Sequence, residues 1–156
     1  MAQQKILFVC LGNICRSPVA EGIMLHLIAE HGLQDKIQVD SAGTAGYHIN
    51  EAPDKRTVKN AKKNGVDLSK LRARKFSKQD FDAFDKIFVM DKSNLQNVLK
   101  LARNESDKQK VDLFLNISHP NQNMEVPDPY FGGEAGFENV FQMVWNASEI
   151  LIQKHQ

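Results

Sequence analysis

Cysteine is scarce in this chain: two residues in 156, Cys10 and Cys15, and both fall in one short turn. Two thiols that close together make no disulfide framework, and they fit a reducing compartment in which a thiol is kept for chemistry. None of His26, His31, His48, His119 and His155 is spaced with cysteine or acid as a ligand set, so no metal and no cofactor is expected. The opening MAQQKILFVC has no basic region ahead of a long apolar core, and no run of about 18 apolar residues occurs anywhere. Neither a signal peptide nor a membrane span is therefore expected, which makes the cytoplasm the default location. An excess of charge of one sign is also missing: 20 Lys and Arg stand against 19 Asp and Glu. Bulk charge thus points to neither nucleic acid nor a membrane surface. Three N-x-[ST] matches, at Asn104, Asn116 and Asn146, are too short a pattern to argue for secretion.

What is present is an ordinary globular composition, 42% hydrophobic and 25% charged, in a chain long enough to bury a core without staples. Four short apolar, β-prone runs, Lys5 to Cys10, Ile37 to Asp40, Ile87 to Met90 and Val111 to Leu115, predict buried parallel strands. Helical patterns separate them. Pro18 to Glu30 places Val19, Ile23, Leu27 and Ile28 on one stripe, with Ser17 as the expected cap and Pro18 as the first helical residue. Further helices are predicted over Asp54 to Asn64, closed by Gly65, and over Ser93 to Arg103, capped by Asp91 or Ser93. A last one covers about Glu134 to Lys154, where Phe137, Phe141, Val144, Trp145, Ser148 and Ile152 form a stripe that reads as core. Strand and helix in alternation give an α/β fold with a parallel sheet covered on both faces.

Basic residues concentrate in Lys55 to Lys78, which holds ten of the twenty Lys and Arg against one acid, Asp67. Phe76 is the only aromatic there, so the interleaved rings of a nucleic-acid groove are missing. The segment reads as a solvated basic face, with attraction of acidic, phosphorylated partners as the sharper alternative.

The first strand runs into Cys10-Leu-Gly-Asn-Ile-Cys-Arg16 and then a helix. A turn that short presents several backbone N–H groups to one centre, and Gly12 and Asn13 are the residues that best tolerate the positive φ such a turn needs. Set at a helix N-terminus with a guanidinium at its far end, it suits a tetrahedral oxyanion. The loop would consist of Leu11, Gly12, Asn13, Ile14, Cys15 and Ser17, with Arg16 as the clamp. Cys10 would sit on its floor, where the same donors stabilise a thiolate and make it a nucleophile without a histidine base. No Gly-Lys-Ser/Thr follows the glycine, so a nucleotide-binding Walker loop is disfavoured.

Four motifs, CLGNICRSP from Cys10, DSAGT at Asp40 to Thr44, MDKSN at Met90 to Asn94 and PDPYFGG at Pro127 to Gly133, together resemble the low-molecular-weight protein tyrosine phosphatases. The likeness spans nearly the whole chain and implies one phosphatase domain over residues 1–156, in three layers, with a four-stranded parallel sheet in the order 2-1-3-4 and helices on both faces. By the same resemblance Cys10 is the nucleophile, Arg16 the phosphate clamp and Asp128 the general acid and then base, while Asn13, Ser17 and Ser41 support the loop. Tyr47, Tyr130 and Phe131 resemble aromatic walls that select a phenyl ring. Leu71 stands where animal members place a loop-supporting histidine, and Phe131 where a second tyrosine is common.

The implied substrates are phosphotyrosine proteins or small aryl phosphates, with inorganic phosphate or vanadate as inhibitors. Related arsenate reductases need distal cysteines, and this chain has none after Cys15. Protein-arginine phosphatases usually carry threonine where Ile14 stands and phenylalanine where Tyr130 stands, which favours phosphotyrosine here. A phosphoprotein-binding module would need the cradle but not both Cys10 and Asp128. Cys15 is open to two readings, a packing residue of the loop or a redox partner that traps oxidised Cys10.

Overall fold

The computed structural model describes residues 3–156, with Phe131 described in its backbone only; Met1 and Ala2, which the domain expectation includes, lie outside the described residues. Strands β1 (Gln4–Cys10), β2 (Ile37–Gly43), β3 (Lys86–Val89) and β4 (Val111–Leu113) alternate with helices. These are α1 (Arg16–Glu30), α2 (Lys55–Lys63), α3 (Asp80–Ala83), α4 (Lys92–Leu99), α5 (Glu105–Gln109) and α6 (Gly133–Gln153). All strand pairs are parallel and the sheet order is β2-β1-β3-β4.

The pleat of β1 sorts its side chains between two cores. Ile6, Phe8 and Cys10 face the layer of α1, α2 and α6, where they meet Ile23, Leu27, Ala61, Phe141 and Val144. Leu7 and Val9 face the other layer and pack with Phe76, Phe81 and Val98. Because β1 is central and covered on both sides, Ile6 to Val9 are fully buried, as the unbroken apolar run requires. Phe8 anchors the larger core, with its ring 5.1 Å from Phe114 and 6.2 Å from Phe88. A stripe on α6 closes that side with Phe137, Phe141, Val144, Ser148 and Ile152 buried, while Trp145 packs from its edge.

Several expected boundaries move. β2 continues past Asp40 to Gly43, because its register with β1 runs on to Cys10 opposite Gly43. α4 stops at Leu99, and its cap is Asp91, whose side chain accepts from Asn94 N while Asn94 returns the bond. β4 ends at Leu113 in a 3₁₀ turn over Phe114–Asn116. α3 and α5 carry no period long enough to read, the latter being capped by Asn104 over the polar run ESDKQ.

The expected start of the first helix is also corrected. α1 begins at Arg16, with Cys15 at the cap position and no side-chain cap. Pro18 is still in the first turn, where its missing N–H costs nothing, but Ser17 is inside the helix and its hydroxyl is free for another partner. That shift places Cys10, at the end of β1, directly across from the first turn of α1. The turn lies where strand order reverses between β2 and β3, the crevice at which open α/β sheets hold ligands.

Candidate functional site

The turn after β1 takes its bend at Asn13, whose φ is 57°, and not at Gly12, which needs no positive φ. Asparagine tolerates this region because its short amide finds local partners, and here both polar side-chain atoms of Asn13 are used. Its Oδ1 accepts from Arg74 N at 3.0 Å, which fixes the amide's orientation. Its Nδ2 donates to Ser17 Oγ at 2.8 Å and to Ser41 Oγ at 2.9 Å. Both serine oxygens are thereby acceptors, so both hydroxyl protons must point elsewhere. Ser41 donates to Glu21 Oε1 at 2.5 Å. Ser17 lies 2.9 Å from Cys10 Sγ and has the proton to donate there.

A continuous chain, Glu21–Ser41–Asn13–Ser17–Cys10, thus joins α1 and β2 to the thiol. Glu21 was not legible in the sequence as part of it. A lone acid one turn into an amphipathic helix reads as surface, and only the approach of β2 reveals its partner. Burial raises the Glu21 carboxyl from its ordinary 4.5 to about 7, with Asp40 adding to the rise and the Ser41 bond and Arg74 opposing it. Leu71 packs against the core, and Asn13 is held by the Arg74 backbone and Ser41 instead of by a histidine.

Cys10, Asn13, Arg16, Ser17 and Ser41 are all buried. Among the described residues, no backbone N–H from Gly12 to Ser17 donates to a protein acceptor. Arg16 is anchored along one edge: Nη1 donates to Asp91 Oδ2 at 2.7 Å and to Val126 O at 3.0 Å. Its remaining N–H groups meet no acceptor among the described residues. The carbonyls behind the loop are spoken for, Cys10 O by Thr44 N, Leu11 O by Ala45 N and Ile14 O by Asp54 N. Gly43 makes this close approach possible, since a Cβ there would sit 2.8 Å from Leu11 O.

Asp128 caps the short 3₁₀ turn Pro129–Phe131, accepting from Tyr130 N at 3.0 Å through Oδ1. Tyr47 and Tyr130 are exposed, at 76% and 56%. The side chain of Phe131 lies outside what the structure describes. Cys15 is half-buried, and neither it nor Cys10 is in a disulfide. Burial pushes the Cys15 thiol up to about 11, and the Asp54 carboxylate adds to the rise.

The basic segment is less free than its composition suggests. Arg74 is paired with Asp40 and Asp80 at 3.0 Å each, and Arg56 with Asp54 at 3.1 Å. Burial alone would raise the Asp54 carboxyl, but the hydrogen bonds and charge of Arg56 outweigh it and hold the group below the usual carboxylate range. Among the described residues no His, Cys, Asp and Glu group could hold a metal ion, and no helix is long and apolar enough to cross a membrane.

An aligned thiol, a half-anchored guanidinium and a run of unpaired amides at a helix start can hold a tetrahedral anion against a sulfur nucleophile. Comparison with known proteins agrees with that geometry. Residues 5–156 match the family model described as low molecular weight phosphotyrosine protein phosphatase. A relative of that name from Schizosaccharomyces pombe is 43% identical over 138 residues, covering 88% of this chain and 87% of its own. A solved protein tyrosine phosphatase from Entamoeba histolytica superimposes with a TM-score of 0.90 at 42% identity, over 97% of this chain and 96% of that one. A Drosophila arginine phosphatase structure superimposes with a TM-score of 0.88 at 34% identity, over 98% of each chain.

Proposed function

The chain belongs to the low molecular weight phosphotyrosine protein phosphatase family of hydrolases, and from that premise we propose how its own residues carry the reaction. Cys10 attacks the phosphorus of a phosphotyrosine protein or a small aryl phosphate in line. Asp128 gives its proton to the departing phenol oxygen as the P–O bond breaks. The resulting cysteinyl phosphate is then hydrolysed by a water whose proton Asp128 takes up, and phosphate leaves. The Gly12–Ser17 amides and the open edge of Arg16 stabilise charge on the equatorial oxygens in both steps. Leu11 and Ile14 shape the loop, and Ser41 supports it. Tyr47, Tyr130 and Phe131 are the walls against which an aryl group stacks. Inorganic phosphate and vanadate occupy the same cradle as inhibitors.

The observation that carries this reading is the Ser17–Cys10 contact at the end of the Asn13 chain. With the Ser17 oxygen already accepting from Asn13 Nδ2, its hydroxyl proton is available to the sulfur, an arrangement that suits a cysteine used as a nucleophile. Turnover of p-nitrophenyl phosphate by wild type and Cys10→Ser tests it. The variant should bind vanadate with near wild-type affinity while activity falls below about 1%, because loss of a nucleophile costs several orders of magnitude. Activity above that level would remove Cys10 from the nucleophile's role.

Phosphoarginine is a second reading, and the Drosophila neighbour is the observation that favours it. Ile14 and the aryl-stacking ring of Tyr130 favour phosphotyrosine. Parallel assays on phosphotyrosine, phosphoserine and phosphoarginine peptides decide between them, with phosphotyrosine expected to have the highest kcat/KM.

Cys15 serves in this proposal as a redox partner. Peroxide oxidises the Cys10 thiolate to a sulfenic acid, with water as the reduced product. The Cys15 thiol then attacks that sulfur, forming a Cys10–Cys15 disulfide and releasing a second water.

A further inference from the structure

Asp128 sits on a loop more than a hundred residues away in sequence from the cysteine it must serve, and it is exposed, accepting among the described residues only a local hydrogen bond from Tyr130 N. Two tethers flank it. Upstream, Val126 O accepts from Arg16 Nη1 at 3.0 Å and Val126 N donates to Met90 O at 2.8 Å. Downstream, the Arg56 guanidinium carbon lies 4.9 Å from the centre of the Tyr130 ring and 4.9 Å from that of Phe137. Arg56 is itself fixed by a fork on Asp54, Nε to Oδ1 at 3.2 Å and Nη2 to Oδ2 at 3.1 Å. Asp54 N in turn donates to Ile14 O, in the loop around the site, at 2.8 Å.

The path Ile14–Asp54–Arg56–Tyr130–Asp128 therefore crosses directly from the loop that holds phosphate to the loop that carries the acid. A cation of a merely solvated basic face has no reason to lie against two rings while its planar fork is spent on one carboxylate. The four lysines of α2, Lys55, Lys59, Lys62 and Lys63, form no ion pair among the described residues. Arg56 differs from its neighbours in kind, and lysine cannot reproduce a fork and a stacked plane together.

We propose that Arg56 is a positioning residue for the general acid: its stack on Tyr130 and grip on Asp54 hold the Asp128 loop in register with the phosphate loop. This rests on the assignment of Asp128 as the proton donor. A misplaced acid slows departure of a poor leaving group more than of a good one, so the signature is leaving-group dependence of kcat/KM, which reports the first step and not the hydrolysis that Asp128 assists as base. Phenyl phosphate needs protonation and p-nitrophenyl phosphate needs little.

The experiment measures kcat/KM for both esters with Arg56→Ala, Arg56→Lys, Asp128→Asn and the double variant Arg56→Ala/Asp128→Asn, and vanadate inhibition for each. Arg56→Ala should lower kcat/KM on phenyl phosphate about tenfold but on p-nitrophenyl phosphate less than about threefold, a fraction of the 10²–10⁴ an acid can supply. Arg56→Lys should recover little of that loss. In the Asp128→Asn background Arg56→Ala should cost nothing more on phenyl phosphate, and vanadate affinity should stay unchanged. Equal losses on the two esters, losses that multiply in the double variant, or weakened vanadate binding would each overturn the proposal. If Asp128→Asn itself shows no leaving-group dependence, the proton-donor assignment falls; if it shows one and Arg56→Ala does not, the role of Arg56 falls alone.

Discussion

Replacing Glu21 by glutamine keeps the shape of the acceptor behind Ser41 but removes its charge, and the consequence for stability is set by the sign of its titration. Burial raises the carboxyl from 4.5 to about 7 in the folded protein. The folded state thus holds this proton more tightly than the unfolded chain, and the contribution of Glu21 to stability is fully present below about pH 4.5 and is lost as pH rises through 7. At 1.36 kcal/mol for each tenfold change, the ceiling is about 3 kcal/mol, and residual solvent contact brings the expectation to about 1–2 kcal/mol. Urea unfolding at steps from about pH 5 to about pH 8 measures it, with the wild type and Glu21→Gln compared at each step so that histidines and other acids cancel. The wild type should lose about 1–2 kcal/mol relative to the variant across that range, because glutamine has no proton to lose. Parallel curves would refute the claim that Glu21 titrates inside the chain that ends at Cys10. Activity supplies a second readout. The charged carboxylate obliges Ser41 to donate to it, whereas an amide can present either face, so the pH dependence of kcat/KM around neutrality should differ between wild type and Glu21→Gln.

Cys15→Ser should keep most activity yet lose recovery by thiol reductant after peroxide, and mass spectrometry of the oxidised wild type should show two hydrogens missing from the peptide that holds both cysteines. Because burial holds the Cys15 thiol near 11, the disulfide should form about tenfold faster per pH unit above neutrality, following the thiolate fraction; a sulfonic acid at Cys10 beside a free Cys15 would leave Cys15 a packing residue. Gly43→Ala places a Cβ 2.8 Å from Leu11 O and 3.1 Å from Ala45 O, both backbone atoms that cannot swing aside. Thermal unfolding should show a loss of about 1–3 kcal/mol and vanadate inhibition should weaken with it; unchanged vanadate affinity would show that the loop tolerates the displacement.

The sheet was legible because buried parallel strands write themselves as unbroken apolar runs, as Ile6 to Val9 do, and because α1 and α6 are long enough to show a stripe. α3 and α5, four and five residues long, carry no period to detect, and Arg103 ties them together through Asp82 in the one and Asp107 in the other. Within the site, Cys10, Arg16 and Ser17 could be found because they sit together in sequence. Ser41 and Asp128 were reached through motif resemblance alone. Asp91, Arg74, Arg56 and Glu21 could not be singled out, since each acts on a partner between 20 and 75 residues away, where only the packed fold reveals a shared hydrogen bond. Of Gly12 and Asn13, the two residues expected to tolerate positive φ, the bend falls on Asn13, because asparagine supplies both the bend and the hydrogen bonds that hold it and glycine could supply only the first.

In the proposed mechanism the sulfur of Cys10 carries the phosphoryl group between the two steps. Rapid acid quench of Asp128→Asn during turnover of p-nitrophenyl phosphate, followed by peptide mapping, tests it most directly, because the leaving group departs without an acid while hydrolysis of the intermediate is slowed for want of a base. The account predicts a phosphate adduct on the peptide spanning Cys10, lost on chase without substrate and absent from Cys10→Ser. Turnover with no adduct at any quench time, or an adduct on another residue, would contradict it.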